Sequence, residues 1–310
     1  MKRFYPEGWL GNDGENLRCH STPQKLSEAV AEQRVLEGIA EVCDAQHNLW
    51  VNLGCMRGVI PREEGAVGIA CGDTRDIALL SRVGKQVSFT VSDIKTDRFG
   101  KLYAVLSRRR AQEKCADEYI SNLRPGDVIP ARITHLESFG AFCDIGCGIA
   151  ALLPINSISV SRISHPRDRF RTGEDIRAVV SSVAPDGKIT LSHKEVLGTW
   201  EENAACFAQG ETVSGVIRSV ESYGVFVELA PNLAGLAEPK SDVFIGQTAS
   251  VFIKSIIPDK MKVKLIIIDS FDTKYTIPKK YFFEGDRLER WEYSPKGSYK
   301  IIVSDFLAKS

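Results

Sequence analysis

The chain has 310 residues, which suggests about two or three compact domains. Its 40 basic and 40 acidic side chains cancel, so no global positive field draws a polyanion, and any nucleic-acid contact must come from local patches and from the bases. No stretch nears the roughly 18 apolar residues of a membrane span, MKRFYPEGWLGNDGEN lacks an export signal's apolar core, and eight cysteines without zinc spacings fit reduced thiols; a cytoplasmic, non-membrane β protein is expected.

In residues 1–33, Thr22 and Pro23 mark a helix start, with Thr as cap and Pro at the first helical position, leading into QKLSEAVAEQR. Residues 34–107 read as a first β unit. RVLEGIAEVCDAQHNLWVNLG (34–54) supplies an opening hairpin, RGVIP (57–61) a middle strand, and GKQVSFTVSDIKTDRFGKLYAVLS (84–107) a closing hairpin. RRRAQEKCADEYISNL (108–123) is rich in helix formers and reads as a linker. The second unit, 124–192, runs through GDVIPARITHLESF (126–139), IAALLP (149–154) and GEDIRAVVSSVAPDGKITLS (173–192). A second helical linker follows in HKEVLGTWEENAACF, within 193–207. The third unit, 208–269, repeats the second: GETVSGVIRSVESY (210–223), LAGLAEP (233–239), GQTASVFIKSIIPDKMKVKL (246–265). A β-rich extension, 270–310, includes RLERWEYSPKGSYKIIVSDF (287–306), which reads as a hairpin around Ser-Pro-Lys-Gly.

Five short strands in roughly seventy residues suit a small closed barrel of the oligonucleotide-binding type. The expected fold is therefore mainly β: three tandem five-stranded OB-fold barrels, short helical linkers and a C-terminal β-hairpin.

Each unit holds a strand whose side chains alternate between faces. In SFGAFCDIG (138–146), Ala141, Cys143 and Ile145 share one face, and Phe142 shares the other with Asp144. In SYGVFVELA (222–230), Val225, Val227 and Leu229 share a face, and Phe226 accompanies Glu228. HNLWVNLGC (47–55) sets Leu49, Val51 and Leu53 against Trp50 and Asn52. A lone carboxylate is rarely buried, so the aliphatic set should face the core and the aromatics water. Such aromatics call for a ligand or for cover by a neighbouring domain. Strict alternation places Phe139 and Tyr223 on the core side, and Gly140 and Gly224 offer a bulge or an unusual backbone angle that would reset the phase.

GDVIPARITHLESFGAFCDIG, followed by ALLP, DGKITLSHK and TW, closely resembles the RNA-binding repeat named after bacterial ribosomal protein S-one. Residues 124–200 match that pattern most specifically, 208–269 well and 34–110 weakly, about two thirds of the chain in all. Three repeats with short ends are similar to the compact members of the family in Firmicutes. The resemblance implies that single-stranded RNA crosses each barrel face and stacks on Phe139 and Phe142, and on Tyr223 and Phe226. It also assigns the basic residue before the last strand to Lys188 and Lys262. The family's histidine is replaced by Pro154, Glu238 and Pro61, and the acid before its closing turn by Ala184 and Pro258, which removes polar contacts.

Basic residues cluster where groove edges should lie: Arg162, Arg167, Arg169 and Arg171; Lys254, Lys260, Lys262 and Lys264; and Arg98, Lys101 and Arg108–Arg110. Such runs are also common on purely solvated surfaces. Cys143 and Cys147 lack a second liganding pair, and His20, His135, His165 and His193 form no constellation with a nucleophile, so no metal, cofactor, small-molecule substrate or catalytic activity is expected. The expected function is non-catalytic binding of single-stranded RNA or mRNA, with the resemblance implying the small ribosomal subunit and translation initiation. A free RNA-binding regulator and a protein-docking module, the latter centred on the diverged first repeat, are the alternatives.

Overall fold

The computed structural model describes residues 4–273 and 275–307. Fifteen strands close into three barrels, as the repeats predict. The first contains β1 (Val35–Cys43), β2 (Leu49–Asn52), β3 (Arg57–Ile60), β4 (Gln86–Thr96) and β5 (Leu102–Ser107). The second contains β6 (Val128–Glu137), β7 (Gly140–Asp144), β8 (Ala150–Pro154), β9 (Asp175–Val183) and β10 (Ile189–Ser192). The third contains β11 (Thr212–Glu221), β12 (Gly224–Ala230), β13 (Leu233–Ala237), β14 (Thr248–Ile257) and β15 (Lys262–Phe271). An odd number of strands cannot close with antiparallel contacts alone. One parallel contact is forced, and every barrel makes it between its third and fifth strands: Gly58 opposite Ala104, Leu152 opposite Thr190, Leu236 opposite Lys264. Closure leaves no exposed strand edge.

By internal contacts the chain forms two compact units, one of residues up to 123 with 130–132 and 144–150, the other of 124–129, 133–143 and 151 onwards. In the first unit, α1 (Gly14–His20) starts on an Asp13 cap and α2 (Pro23–Ala31) on the expected Thr22 cap, whose hydroxyl accepts the Lys25 N–H. Leu26 and Ala29 of α2 join the barrel core with Leu49, Val51 and Leu53. A short α3 (Ile77–Leu80) precedes β4. The linker helix α4 (Arg108–Glu118) begins directly after β5, capped by Ser107.

An acidic cluster pins the N-terminal segment of this unit. The buried Glu7 carboxylate accepts from Arg108 Nε at 2.7 Å, from Arg82 at 3.1 Å and from the Ser88 N–H at 3.1 Å. Burial works against its charge, and Arg108 and then Arg82 override burial, holding its pKa below the ordinary value. Nearby, Glu37 accepts the N–H groups of Gly8 (3.0 Å) and Leu10 (2.9 Å) and the Ser88 hydroxyl (3.2 Å). Burial, reinforced by the Glu7 charge, pushes Glu37 up to about 7 from 4.5. A carboxyl raised on folding binds its proton more tightly in the native state, so its contribution is full below the unfolded value and is lost as pH rises through the folded one. Asp144, pushed up to about 6 chiefly by burial and then by Glu7, acts in the same direction. The melting temperature of this unit is therefore expected to fall between pH 5 and 7.5, measured by differential scanning calorimetry. Glu37→Gln, which keeps an acceptor for the two N–H groups, should flatten that slope; an unchanged slope would remove Glu37 as its source.

The second unit contains the core of the third barrel, where Ile217, Val225, Val227, Leu229, Val251 and Leu265 are buried together. The linker at 193–207 forms a 3-10 turn (Lys194–Leu197) and α5 (Trp200–Ala204), started by a Thr199–Glu202 capping box. After the third barrel an extended segment packs within this unit. Arg177 donates to the carbonyls of Phe283 (2.7 Å), Glu284 (3.0 Å) and Gly285 (2.8 Å), and Leu288 N–H donates to Gly126 O at 2.7 Å. The expected terminal hairpin is present as β16 (Arg290–Glu292) and β17 (Val303–Asp305), with a turn at Pro295–Ser298.

Candidate nucleic-acid interface

The alternation in the sequence orients the second strand of each barrel. Ala141, Cys143 and Ile145 are buried, as are Val225, Val227 and Leu229, and Leu49, Val51 and Leu53. Phe142, Phe226 and Trp50 lie on the opposite face, half-buried. The partner ring comes from the turn before the strand: Phe139 is 55% exposed and Tyr223 is 65% exposed. Phe139 and Phe142 meet edge to face with centroids 6.1 Å apart at 88°. Tyr223 and Phe226 repeat that arrangement at 6.2 Å and 87°.

In the third barrel no register shift falls at Gly224, which takes the unusual backbone angle instead, with φ +155°. Phe139 and Tyr223 sit in turns, outside the phase of the strand, so no reset is needed. In the β11–β12 pairing the register shift lies on β11, between Ile217 and Ser219, and on β12 the shift falls between Glu228 and Ala230, away from Gly224. Gly140 and Gly224 serve close approach: an added Cβ would stand 2.5 Å from Leu153 O in one case and 2.5 Å from Ala237 O in the other. Only glycine lets the neighbouring strand come so near.

Cross-strand rows show how the third and first faces differ. In the third barrel Phe226 is opposite Leu236, and Leu236 is opposite Lys264, so ring, aliphatic side chain and ammonium line up across the outer face. Lys262 precedes Lys264 on the same exposed side of β15. In the first barrel the corresponding row is Trp50, Val59 and Val105, with no cation. Trp50 Nε1 donates to Asp44 Oδ2 at 3.0 Å. His47 takes the turn position of Phe139 and Tyr223, and no ring pairs with Trp50 among the described residues.

The basic clusters divide under the same inspection. Arg162 and Arg167 are exposed, as are Lys101 and Lys188. Lys188 pairs with Asp186 at 2.6 Å, which raises its pKa through that hydrogen bond. Arg169 does not face solvent. It is buried against Glu228, donating Nη1 to Oε2 at 3.1 Å and Nη2 to Oε1, while Arg218 Nε donates to Glu228 Oε2 at 2.5 Å. Arg108 is buried on Glu7, and Arg109 is paired with Glu64 and Glu113, both at 2.7 Å. These three arginines are taken up by carboxylates and are not offered to phosphate.

The strand acids also depart from expectation. Alternation set Asp144 and Glu228 facing water, yet both are buried. Asp144 accepts the N–H groups of Glu7 (2.7 Å), Gly146 (2.8 Å) and Gly148 (3.0 Å), and Glu228 accepts its two arginines. Paired carboxylates can be buried where lone ones cannot.

On the third barrel these features line one groove of about 770 Å³, which takes in Tyr223, Phe226, Leu236, Lys254, Lys262 and Lys264. Such a surface offers flat rings to stack on and cations for an anionic backbone. Among the described residues, no group of three or more His, Cys, Asp or Glu side chains is placed to hold a metal. No helix among them is long and apolar enough to cross a membrane.

Comparison with known proteins gives the same repeat. Residues 122–194 match the S1 RNA binding domain family. Small ribosomal subunit protein bS1 of Staphylococcus saprophyticus is 29% identical over 208 residues, covering 63% of this chain and 51% of that protein. Its counterpart in Staphylococcus epidermidis is 27% identical over 289 residues, covering 87% and 69%, and the bS1 homolog of Bacillus subtilis is 28% identical over 217 residues, covering 68% and 55%. The chain thus spans between about half and about two thirds of these relatives' length. A solved multidomain protein with nucleic acid binding domains from Streptococcus pneumoniae aligns over 78% of this chain and 75% of its own at 13% identity, with a TM-score of 0.25 that carries no argument. The chain carries an S1 RNA binding domain at residues 122–194 and is similar, along most of its length, to the small ribosomal subunit proteins bS1 of Firmicutes.

Proposed function

We propose that this protein is a non-catalytic binder of single-stranded RNA that holds mRNA at the small ribosomal subunit during translation initiation. The observation that carries this reading is the repeated ring pair: two barrels present two aromatics each, edge to face and open to solvent, at the same place on the fold. Stacking on a base is worth about 1–3 kcal/mol per ring and tolerates any base. Phe139, Phe142, Tyr223 and Phe226 supply the stacking platform. Lys262, Lys264, Lys188, Arg162, Arg167 and Lys101 supply exposed charge, and the third barrel, with its lysine row, contributes most. The ribosomal placement rests on relatives that are named as small ribosomal subunit proteins.

Binding should be salt-sensitive and nearly independent of base sequence, with each phosphate contact adding about −0.7 to the log–log salt slope. Sucrose-gradient profiles of cell lysate should show the protein in the small-subunit fractions. Protein confined to the top of the gradient, with RNA affinity intact, would instead indicate a free regulator. The first barrel favours a second role for itself as a docking module, because Trp50 is tied to Asp44 and its row has no lysine.

A further inference from the structure

The groove on the third barrel is also lined by residues from outside that barrel. Its lining takes in Val160 of the second repeat, Trp200 of the linker and three residues of the C-terminal hairpin segment, Tyr293, Lys300 and Ile302. We propose that this hairpin completes the RNA site, so that unpaired nucleotides run between barrel and hairpin with Lys300 against a backbone phosphate. The proposal rests on the RNA-binding reading above and adds to it a contact element outside the repeats.

This lining is built rather than incidental. Trp200 N–H donates to Tyr293 O at 2.9 Å, and Tyr293 N–H donates to Ile302 O at 2.9 Å. The Tyr293 hydroxyl donates to Asn232 O at 2.5 Å. Asn232 is itself buried, with its side-chain oxygen accepting Val160 N–H at 3.0 Å and its amide donating to the carbonyls of Lys194 and Gly198, each at 2.8 Å. One asparagine therefore ties the 3-10 turn of the linker, the loop at residue 160 and the hairpin to the third barrel. A lining fixed in this way loses little freedom when a ligand enters.

Charge selects the ligand class. Lys254 is partly offset by Glu238 at 3.7 Å, whereas Lys260, Lys262, Lys264 and Lys300 have no acidic partner among the described residues. Four uncompensated ammonium groups around a pair of aromatic rings, in a chain with 40 basic and 40 acidic residues, form a local anion field. A volume of about 770 Å³ lies within the ~300–1,000 Å³ range of ligand sites. A strand of alternating phosphates and flat bases satisfies both features at once.

The test uses the full chain and a fluorescein-labelled oligouridylate, with affinity followed by fluorescence anisotropy across a salt series. Lys300 is exposed, so Lys300→Glu leaves folding intact. It should weaken binding about tenfold at low salt and reduce the magnitude of the salt slope by about 0.7. Lys296→Glu, at an exposed position on the same hairpin that does not line the groove, should change neither by more than about twofold. Equal losses in the two variants would reduce the effect to long-range charge and overturn the hairpin contact. If Lys300→Glu has no effect while Phe226→Ala weakens binding, the hairpin proposal falls and the RNA reading stands. If neither substitution matters, the RNA reading itself is wrong.

Discussion

Replacing Phe139, Phe142, Tyr223 and Phe226 together by alanine is expected to weaken binding of an unstructured RNA about 1,000-fold. The estimate takes the lower end of base stacking, about 1 kcal/mol per ring, so four rings give about 4 kcal/mol or roughly three decades in Kd. The turn rings are mostly exposed and the strand rings half-exposed, so the fold should survive their removal. Circular dichroism and thermal melting check that point, and anisotropy titration checks affinity. Between the two pairs, loss of Tyr223 and Phe226 should cost more than loss of Phe139 and Phe142. Only the third barrel sets Lys264 in the same row as its strand ring, and its Lys262 and Lys264 lack the acid that pairs with Lys188. A combined loss below tenfold would mean that the rings do not stack on bases.

A second large effect is expected at Arg169, on stability rather than on RNA. Arg169→Met removes one of the two guanidinium groups on Glu228 and leaves a fully buried carboxylate under-compensated. Breaking a buried ion pair from one side costs about 3–5 kcal/mol, most of it from the stranded charge. Urea denaturation should show that loss at neutral pH. Adding Glu228→Gln to Arg169→Met should recover part of it, because the stranded charge is then gone. If the double variant is no more stable than the single one, packing of the arginine stem, rather than its charge, holds this site. RNA affinity under native conditions should change little in either variant, which separates Arg169 from the exposed Arg162 and Arg167.

That contrast shows what can be read along a chain. Alternation within five to seven residues identified the buried faces of β2, β7 and β12, because burial on one side of a strand imposes a period of two. The rings of Phe142 and Phe226 followed from the same pattern. Phe139 and Tyr223 did not, since a turn residue has no strand phase and only the adjacent glycines and the family motif pointed to them. Asp144 and Glu228 were misplaced for another reason. Their partners lie 137 and 59 residues away, at Glu7 and Arg169, and nothing local announces such a pairing. Arg169 was grouped with the groove-edge cations because it stands in one run with Arg162, Arg167 and Arg171, which do face solvent. The hairpin was legible as a hairpin, but its place beside the groove depends on Asn232, Trp200 and Tyr293 meeting in space, which no spacing encodes.

The two buried strand acids share a direction. Asp144 in the second barrel receives a group from residue 7, and Glu228 in the third receives one from residue 169, each supplied by chain that comes earlier. The equivalent position in the first barrel, Asn52, is exposed and bonds to Glu41 within its own β1–β2 hairpin at 3.0 Å. As the polypeptide is made from its N-terminus, Arg169 and Arg218 are already present when Glu228 emerges, so the acid that the third barrel buries never waits for its cations.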